Sequence, residues 1–91
     1  MNIRWLPRAQ RNRLEQLDYI AQDNPLAAVR QDEQIERQIN MLLAHPQMGR
    51  PGRVTGTREL VISGTPFVAI YRLHAPHIEV LRLLHSAQQW P

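Results

Sequence analysis

The chain has no cysteine, no lysine and a single phenylalanine, and no apolar run approaches the ~20 residues that span a bilayer. Without cysteine there is no disulfide, no thiolate nucleophile and no cysteine-based zinc site. The N-terminal stretch MNIRWLPRAQRNR lacks the apolar core of a signal peptide. No glycine-rich phosphate loop precedes a helix, and no zinc-ligand spacing, carboxylate pair or Ser/His/Asp set is evident. A soluble, cytoplasmic protein without cofactor, metal or membrane partner is expected. At 91 residues the chain makes one domain. Such a chain buries only about 60–65% of the surface its unfolded form exposes, so its core is small. Function is therefore expected on a surface or in a shallow groove.

What the sequence does hold is arginine. All eleven basic residues are Arg, whose planar fork suits carboxylates and phosphates. A genome rich in G and C would also put Arg in place of Lys. Residues 1–49 balance six Arg against six acids, whereas residues 50–91 carry five Arg and two acids. The net charge of +3 thus belongs to the C-terminal half.

Residues 2–6, NIRWL, form a short strand candidate with Ile3 and Trp5 on one face. Pro7 ends it and can open a helix, because the first helical position needs no N–H. Leu14, Leu17, Ile20 and Ala21 then recur at helical spacing. Asn24-Pro25 supplies an N-cap and a second helix start. The second apolar stripe is Ala28, Ile35, Ile39, Leu42 and Leu43. Two amphipathic helices joined by a tight turn predict a helical hairpin over about 8–44, each stripe needing cover. A basic loop follows over 45–57, HPQMGRPGRVTGT, of a length that in compact domains tends to be functional or mobile. The period then becomes extended: RELVI, FVAIYRL and IEVLRLL, separated by SGTP and HAPH, predict an antiparallel β-meander over 58–84. A short tail, 85–91, closes the chain. The last two strands are apolar on both faces and are expected to lie centrally. The helices precede the strands, so the class is α+β, β-α-α-β-β-β, with the hairpin on one face of a small, mainly antiparallel sheet and the other face partly open.

Several residues invite a functional reading. Arg50, Arg53 and Arg58, with Glu59, could form an anion-binding edge, or a solvated loop with a cross-strand ion pair. Arg72 and Arg82 each interrupt an apolar strand and need a partner. By simple alternation Arg72 shares a face with Val68 and Ile70, and Arg82 with Ile78, Val80 and Leu84. Glu79 then lies opposite Arg82, which makes Glu59 the expected partner for either arginine. His45, His74 and His77 sit at helix-end and turn positions. His85 closes the last strand, where it could act as a general acid or base or pack as a strand-end residue.

The second half carries a pattern: Gly-Arg-x-x-Gly-x-Arg-Glu-Leu from Gly52, a strand ending Tyr71-Arg72, and a strand ending Leu84-His85-x-Ala-x-x-Trp90-Pro91. It resembles the RelE/ParE superfamily of bacterial type II toxins, and within it the plasmid-stabilisation ParE and YacB-like branch. The resemblance covers nearly the whole chain and implies the same element order. It also implies a growth-arresting toxin neutralised by a small cognate antitoxin. That antitoxin lays a segment over the toxin and, often through a ribbon-helix-helix part, binds operator DNA. Two targets follow from it: DNA gyrase for ParE-like members, and mRNA on the ribosome for RelE-like and YoeB-like endonucleases. The endonucleases commonly place Arg three residues before the middle-strand Tyr, where this chain has Val68. They also tend to carry Arg, Lys or Tyr after the final strand, where this chain has Ser-Ala-Gln-Gln-Trp. His85 matches a histidine of YoeB-like enzymes without its companions. The expectation is therefore a ParE-like gyrase poison, the alternative being an mRNA endonuclease using His85 with Arg58, Arg72 or Arg82. Target or antitoxin contacts are expected at Arg50, Arg53, Arg58, Glu59, Arg72, Arg82 and Trp90.

Overall fold

The structure is a computed structural model that describes residues 1–86 and 88–91. Ala87, part of the expected tail, lies outside the described residues. The chain runs through β1 (Asn2–Trp5), α1 (Pro7–Asp23), α2 (Pro25–Asn40), a 3-10 turn (Met41–Leu43), β2 (Arg50–Pro51), β3 (Arg58–Val61), β4 (Phe67–His74) and β5 (His77–His85). The helix starts are those read from the prolines. Pro7 and Pro25 open α1 and α2, and Asn24 Oδ1 accepts from the Ala27 N–H at 3.0 Å.

The five strands are ordered β1-β5-β4-β3-β2. The meander β3-β4-β5 is antiparallel, with β4 and β5 central, as their doubly apolar sequences predict. Two features go beyond the expected architecture. The N-terminal strand pairs parallel to β5, Ile3 opposite Ile78 and Trp5 opposite Val80. Within the basic loop, Arg50 and Pro51 pair with Glu59 and Arg58 as a two-residue edge strand.

One face of the sheet carries the core. Leu60, Ile62, Phe67, Ala69, Tyr71, Ile78, Val80 and Leu83 meet Ala9, Ile35, Ile39 and Leu42 from the helices. Burial of such a side chain stabilises the fold by about 1.5–3 kcal/mol. Truncating Ile35, which is fully buried, to Ala therefore costs roughly 2–5 kcal/mol once the cavity is included. The helix stripes are narrower than their periodicity suggests. Leu14 and Leu43 stay exposed, while Ala9 is the residue of α1 that is fully buried. Arg13, from the polar side of α1, lies 4.7 Å over the Trp5 ring and bridges to Asp32 and Glu36 of α2. It ties the two helices and β1 together.

Side-chain amides finish the sheet where strands run out. β1 covers β5 only as far as Val80, whose carbonyl accepts from the Leu6 N–H. Beyond it, Asn12 Oδ1 accepts the Leu83 N–H at 3.2 Å, and Gln16 Nε2 donates to the Leu83 carbonyl at 2.7 Å. On the opposite edge Gln38 does the same for Ser63, accepting its N–H and donating to its carbonyl, both at 2.8 Å. Buried backbone groups left unpaired are costly, so these glutamines and this asparagine take the place of missing neighbour strands.

Candidate functional site

Register decides what the face away from the helices presents. Ile70 lies opposite Arg82 but Tyr71 lies opposite Val80, so Leu81 is an extra residue in β5. Such a bulge reverses the alternation of the strand. Ile78 and Val80 therefore face the helices, whereas Glu79, Arg82 and Leu84 join Val68, Ile70 and Arg72 on the other face. The face-sharing expected for Arg82 with Ile78 and Val80 is corrected by this one residue.

The expected ion pairing changes with it. Arg72 and Glu79 are direct cross-strand neighbours, and Arg72 Nε donates to Glu79 Oε1 at 2.7 Å. That hydrogen bond holds the Glu79 carboxyl below the usual carboxylate range, against a smaller opposing effect of burial. Glu59, expected to serve Arg72 or Arg82, instead accepts from Arg50 at 3.0 Å. Arg50 is largely exposed, so this pair contributes about 0–1 kcal/mol. Arg82 finds a neutral partner: its Nε donates to Asn12 Oδ1 at 2.8 Å. Burial and, secondarily, the charge of Arg8 disfavour its protonated form.

Arg58 also departs from the expected edge. It lies opposite Tyr71, on the helix-facing side of the sheet. Its Nη1 donates to the carbonyls of Gly49 at 2.7 Å and Gln47 at 3.3 Å. Tyr71 completes that arrangement. Its hydroxyl donates to the Pro46 carbonyl at 2.8 Å and accepts the Gly49 N–H at 2.9 Å. Burial pushes the Tyr71 phenol upward, and the Gly49 N–H and the Arg58 charge oppose this more weakly. A Cβ on Gly49 would come within 2.7 Å of the Tyr71 ring and 2.8 Å of the Glu59 carbonyl, so the loop can seat here only with glycine. Arg58 and Tyr71 hold the start of the loop to the sheet.

The remaining candidates gather in a cleft of about 130 Å³ on the helix-free face. Arg50, Arg53 and Glu59 form one wall, Val68, Ile70 and Leu84 the floor, and His85, Ser86, Gln88 and Trp90 the other wall. Trp90 stands 6.0 Å from the Arg82 guanidinium, and its carbonyl accepts from Arg53 at 3.3 Å. The tail thus returns over the face that the sequence left partly open, and Ile70 and Leu84 become buried.

A second cavity, about 540 Å³, opens on the α1 side. Asn12, Glu15, Gln16 and Tyr19 of α1 line it together with Gln31, Pro66 and Phe67. His85 and Gln88 line both cavities, and His85 packs edge-on against Phe67 with centroids 6.4 Å apart. None of the α1 residues here was a candidate from the sequence. Their spacing of three and four marks a common helix face, but only the packing of α1 on β5 makes that face a wall.

Three of the five arginines of the C-terminal half are therefore committed elsewhere: Arg58 to loop carbonyls, Arg72 to Glu79 and Arg82 to Asn12. The cleft itself offers an imidazole, a basic rim and an apolar floor. That set suits recognition of an acidic or amphipathic surface more readily than stabilisation of a phosphorane, which needs cationic donors aimed at one reacting centre.

Comparison with known proteins agrees with the resemblance read from the sequence. Residues 3–90 match the family model described as the ParE toxin of the type II toxin-antitoxin system parDE. The protein named "Putative toxin Y4kP" from Sinorhizobium fredii (strain NBRC 101917 / NGR234) is 42% identical over 90 residues, covering 98% of this chain and 92% of that one. The fold superposes on a chain of the chromosomal ParDE TA system from P. aeruginosa with a TM-score of 0.84 at 27% identity, over 93% of this chain and 95% of the other. With nearly the whole length matched, the chain belongs to the ParE toxin family of type II toxin–antitoxin systems.

Proposed function

We propose that this toxin arrests growth by binding DNA gyrase as a protein ligand, and that a cognate antitoxin, of ribbon-helix-helix type, neutralises it. The observation that carries the reading is the dispersal of the arginines. Arg58, Arg72 and Arg82 are each held by a separate group: a loop carbonyl, a carboxylate and a side-chain amide. The endonuclease alternative pairs His85 with one of these three at the same phosphate, and each of them is already engaged. A binding poison needs only a surface, and the cleft, with Arg50 and Arg53 on one wall and Trp90 on the other, supplies a basic one with an aromatic anchor.

Purified gyrase tests the reading. Inhibition of supercoiling, with accumulation of a cleaved DNA complex, is the expected result. Unchanged supercoiling together with new mRNA 5′ ends after induction, lost in His85→Ala, would establish the endonuclease alternative instead. The neighbouring reading frame provides the second check, since the antitoxin is expected to be encoded beside the toxin. Operator DNA is expected to bind the pair through the antitoxin alone.

A further inference from the structure

The first fourteen residues hold four arginines and no acid. Arg13 is accounted for by Asp32 and Glu36. Arg4, Arg8 and Arg11 are exposed, and among the described residues none of them has an ion pair. The fold does not bring acids to them either. Six of the eight acids lie on α1 and α2 from Glu15 onward, and the other two, Glu59 and Glu79, are engaged by Arg50 and Arg72.

The three arginines follow one edge of the molecule. Arg4 stands opposite Glu79 on the helix-free side, since its neighbours Ile3 and Trp5 pack against the core. Where β1 stops, α1 continues along the same edge of β5: the Leu6 N–H bonds to the Val80 carbonyl, and Asn12 Oδ1 accepts the Leu83 N–H. Arg8 lies one helical turn before Asn12 and therefore on the same side of α1. Arg11 neighbours Asn12 and is about 4.5 Å along the helix axis from Arg8. Arg82, held by Asn12, adds a fourth charge behind the row. Burial first, and then the charge of Arg8, disfavours its protonated form. Like charges held along one edge repel, and a bound anion relieves the repulsion.

The shape of the row selects the anion. It extends from a strand onto a helix, which suits successive phosphates of a backbone rather than one small ion. None of the three arginines lines either cavity described above, so the row offers charge without the apolar anchor of a protein interface.

We propose that Arg4, Arg8 and Arg11 form a backbone-phosphate site, through which the toxin itself holds nucleic acid. Phosphate contacts position a strand and carry no sequence information, so operator recognition stays with the antitoxin. The inference goes beyond the gyrase reading and does not depend on it.

Fluorescence anisotropy of the full chain with a labelled short DNA duplex tests the site. Affinity is expected to fall about 40-fold between 50 and 200 mM salt, from the slope of about −2.7 that three phosphate contacts give. Arg4→Gln, Arg8→Gln and Arg11→Gln, all at exposed positions, should each weaken binding and reduce the size of that slope by about 1. Arg30→Gln, at an exposed position on α2, should change neither. Two duplexes of unrelated sequence should bind alike. Slopes in the three variants equal to that of Arg30→Gln overturn the proposal. So does polyglutamate that displaces the duplex as well as unlabelled duplex of equal charge does, by making the row a site for acidic protein. Inorganic phosphate competing equally, phosphate for phosphate, would also overturn it, by reducing the row to a small-anion site. The assay contains no gyrase, so failure of the gyrase reading leaves its outcome unaffected.

Discussion

Arg72 and Glu79 face each other across β4 and β5, with Nε 2.7 Å from Oε1, on the sheet face that carries no helix. The glutamate is nearly buried while the arginine is half exposed. The pair is where an apolar strand can carry an arginine, because the neighbouring strand supplies its counter-charge in register.

The direction of the Glu79 shift sets a pH dependence. Its carboxyl is held below the ordinary value of 4.5, chiefly by the Arg72 hydrogen bond. The folded state therefore binds fewer protons than the unfolded chain in the range just below that value. The stabilisation is present above about pH 4.5 and is lost as pH falls through the folded-state value. Urea midpoints of Glu79→Gln, measured from pH 7 downward, should be lower than wild type at neutral pH and converge with it in acid. Parallel curves at all pH values would remove Glu79 as the source.

Tyr71→Phe deletes one hydroxyl and leaves the Gly49 N–H and the Pro46 carbonyl without it. Loss of partners for buried groups costs about 1–3 kcal/mol, readable as a lower urea midpoint with unchanged slope. In base the sign reverses from that of Glu79. The Tyr71 phenol is raised above 10.0 by burial, so its contribution is present below that value and is lost as pH rises through the folded-state value. The Tyr71→Phe variant should lose less stability than wild type between pH 9 and 11, a range bracketing the ordinary tyrosine value of about 10.

Gln38→Ala strips Ser63 of two hydrogen bonds at the free edge of β3. A destabilisation of about 1–3 kcal/mol is expected, with faster amide exchange at Ser63 in hydrogen-exchange measurements. Equal exchange at Ser63 in both proteins would show that another group covers the edge.

Asn12→Ala removes the acceptor shared by Arg82 Nε and the Leu83 N–H. The cost is again about 1–3 kcal/mol, larger than that of removing the exposed Arg50–Glu59 pair, which is about 0–1 kcal/mol. Denaturation of Asn12→Ala and Glu59→Gln side by side checks the order.

His85→Ala separates the two cellular readings. Growth arrest on induction should persist in this variant, because the proposed action is binding. Complete loss of arrest with an unchanged melting temperature would favour chemistry at His85.

Much of the fold was legible because it is written in local signals. Pro7, Asn24 and Pro25 mark helix starts through backbone geometry alone, and the change from helical to alternating period after Thr57 marks the meander. The candidate site was only partly legible. Arg50, Arg53 and Trp90 do meet in one cleft, whereas Arg58, Arg72 and Arg82 each turn to a partner that strand alternation had not indicated. Leu81 is the reason for one of these: nothing in IEVLRLL announces which residue is extra, since a bulge is chosen by the packing of the two strands together. Asn12, Gln16 and Gln38 were invisible for a related reason, as each bonds backbone 25 to 71 residues away in sequence.

The sequence by itself determined the α+β class, the helix starts, the central place of the last two strands, and the pattern that marks the ParE family. These depend on periodicity, on proline and asparagine geometry, and on motif residues read in order. Only the tertiary structure decided the partners of the arginines, the parallel seat of β1, and the fold of Trp90 onto the helix-free face. Those depend on which distant groups a register shift of one residue brings together, and register is a property of paired strands rather than of either one alone.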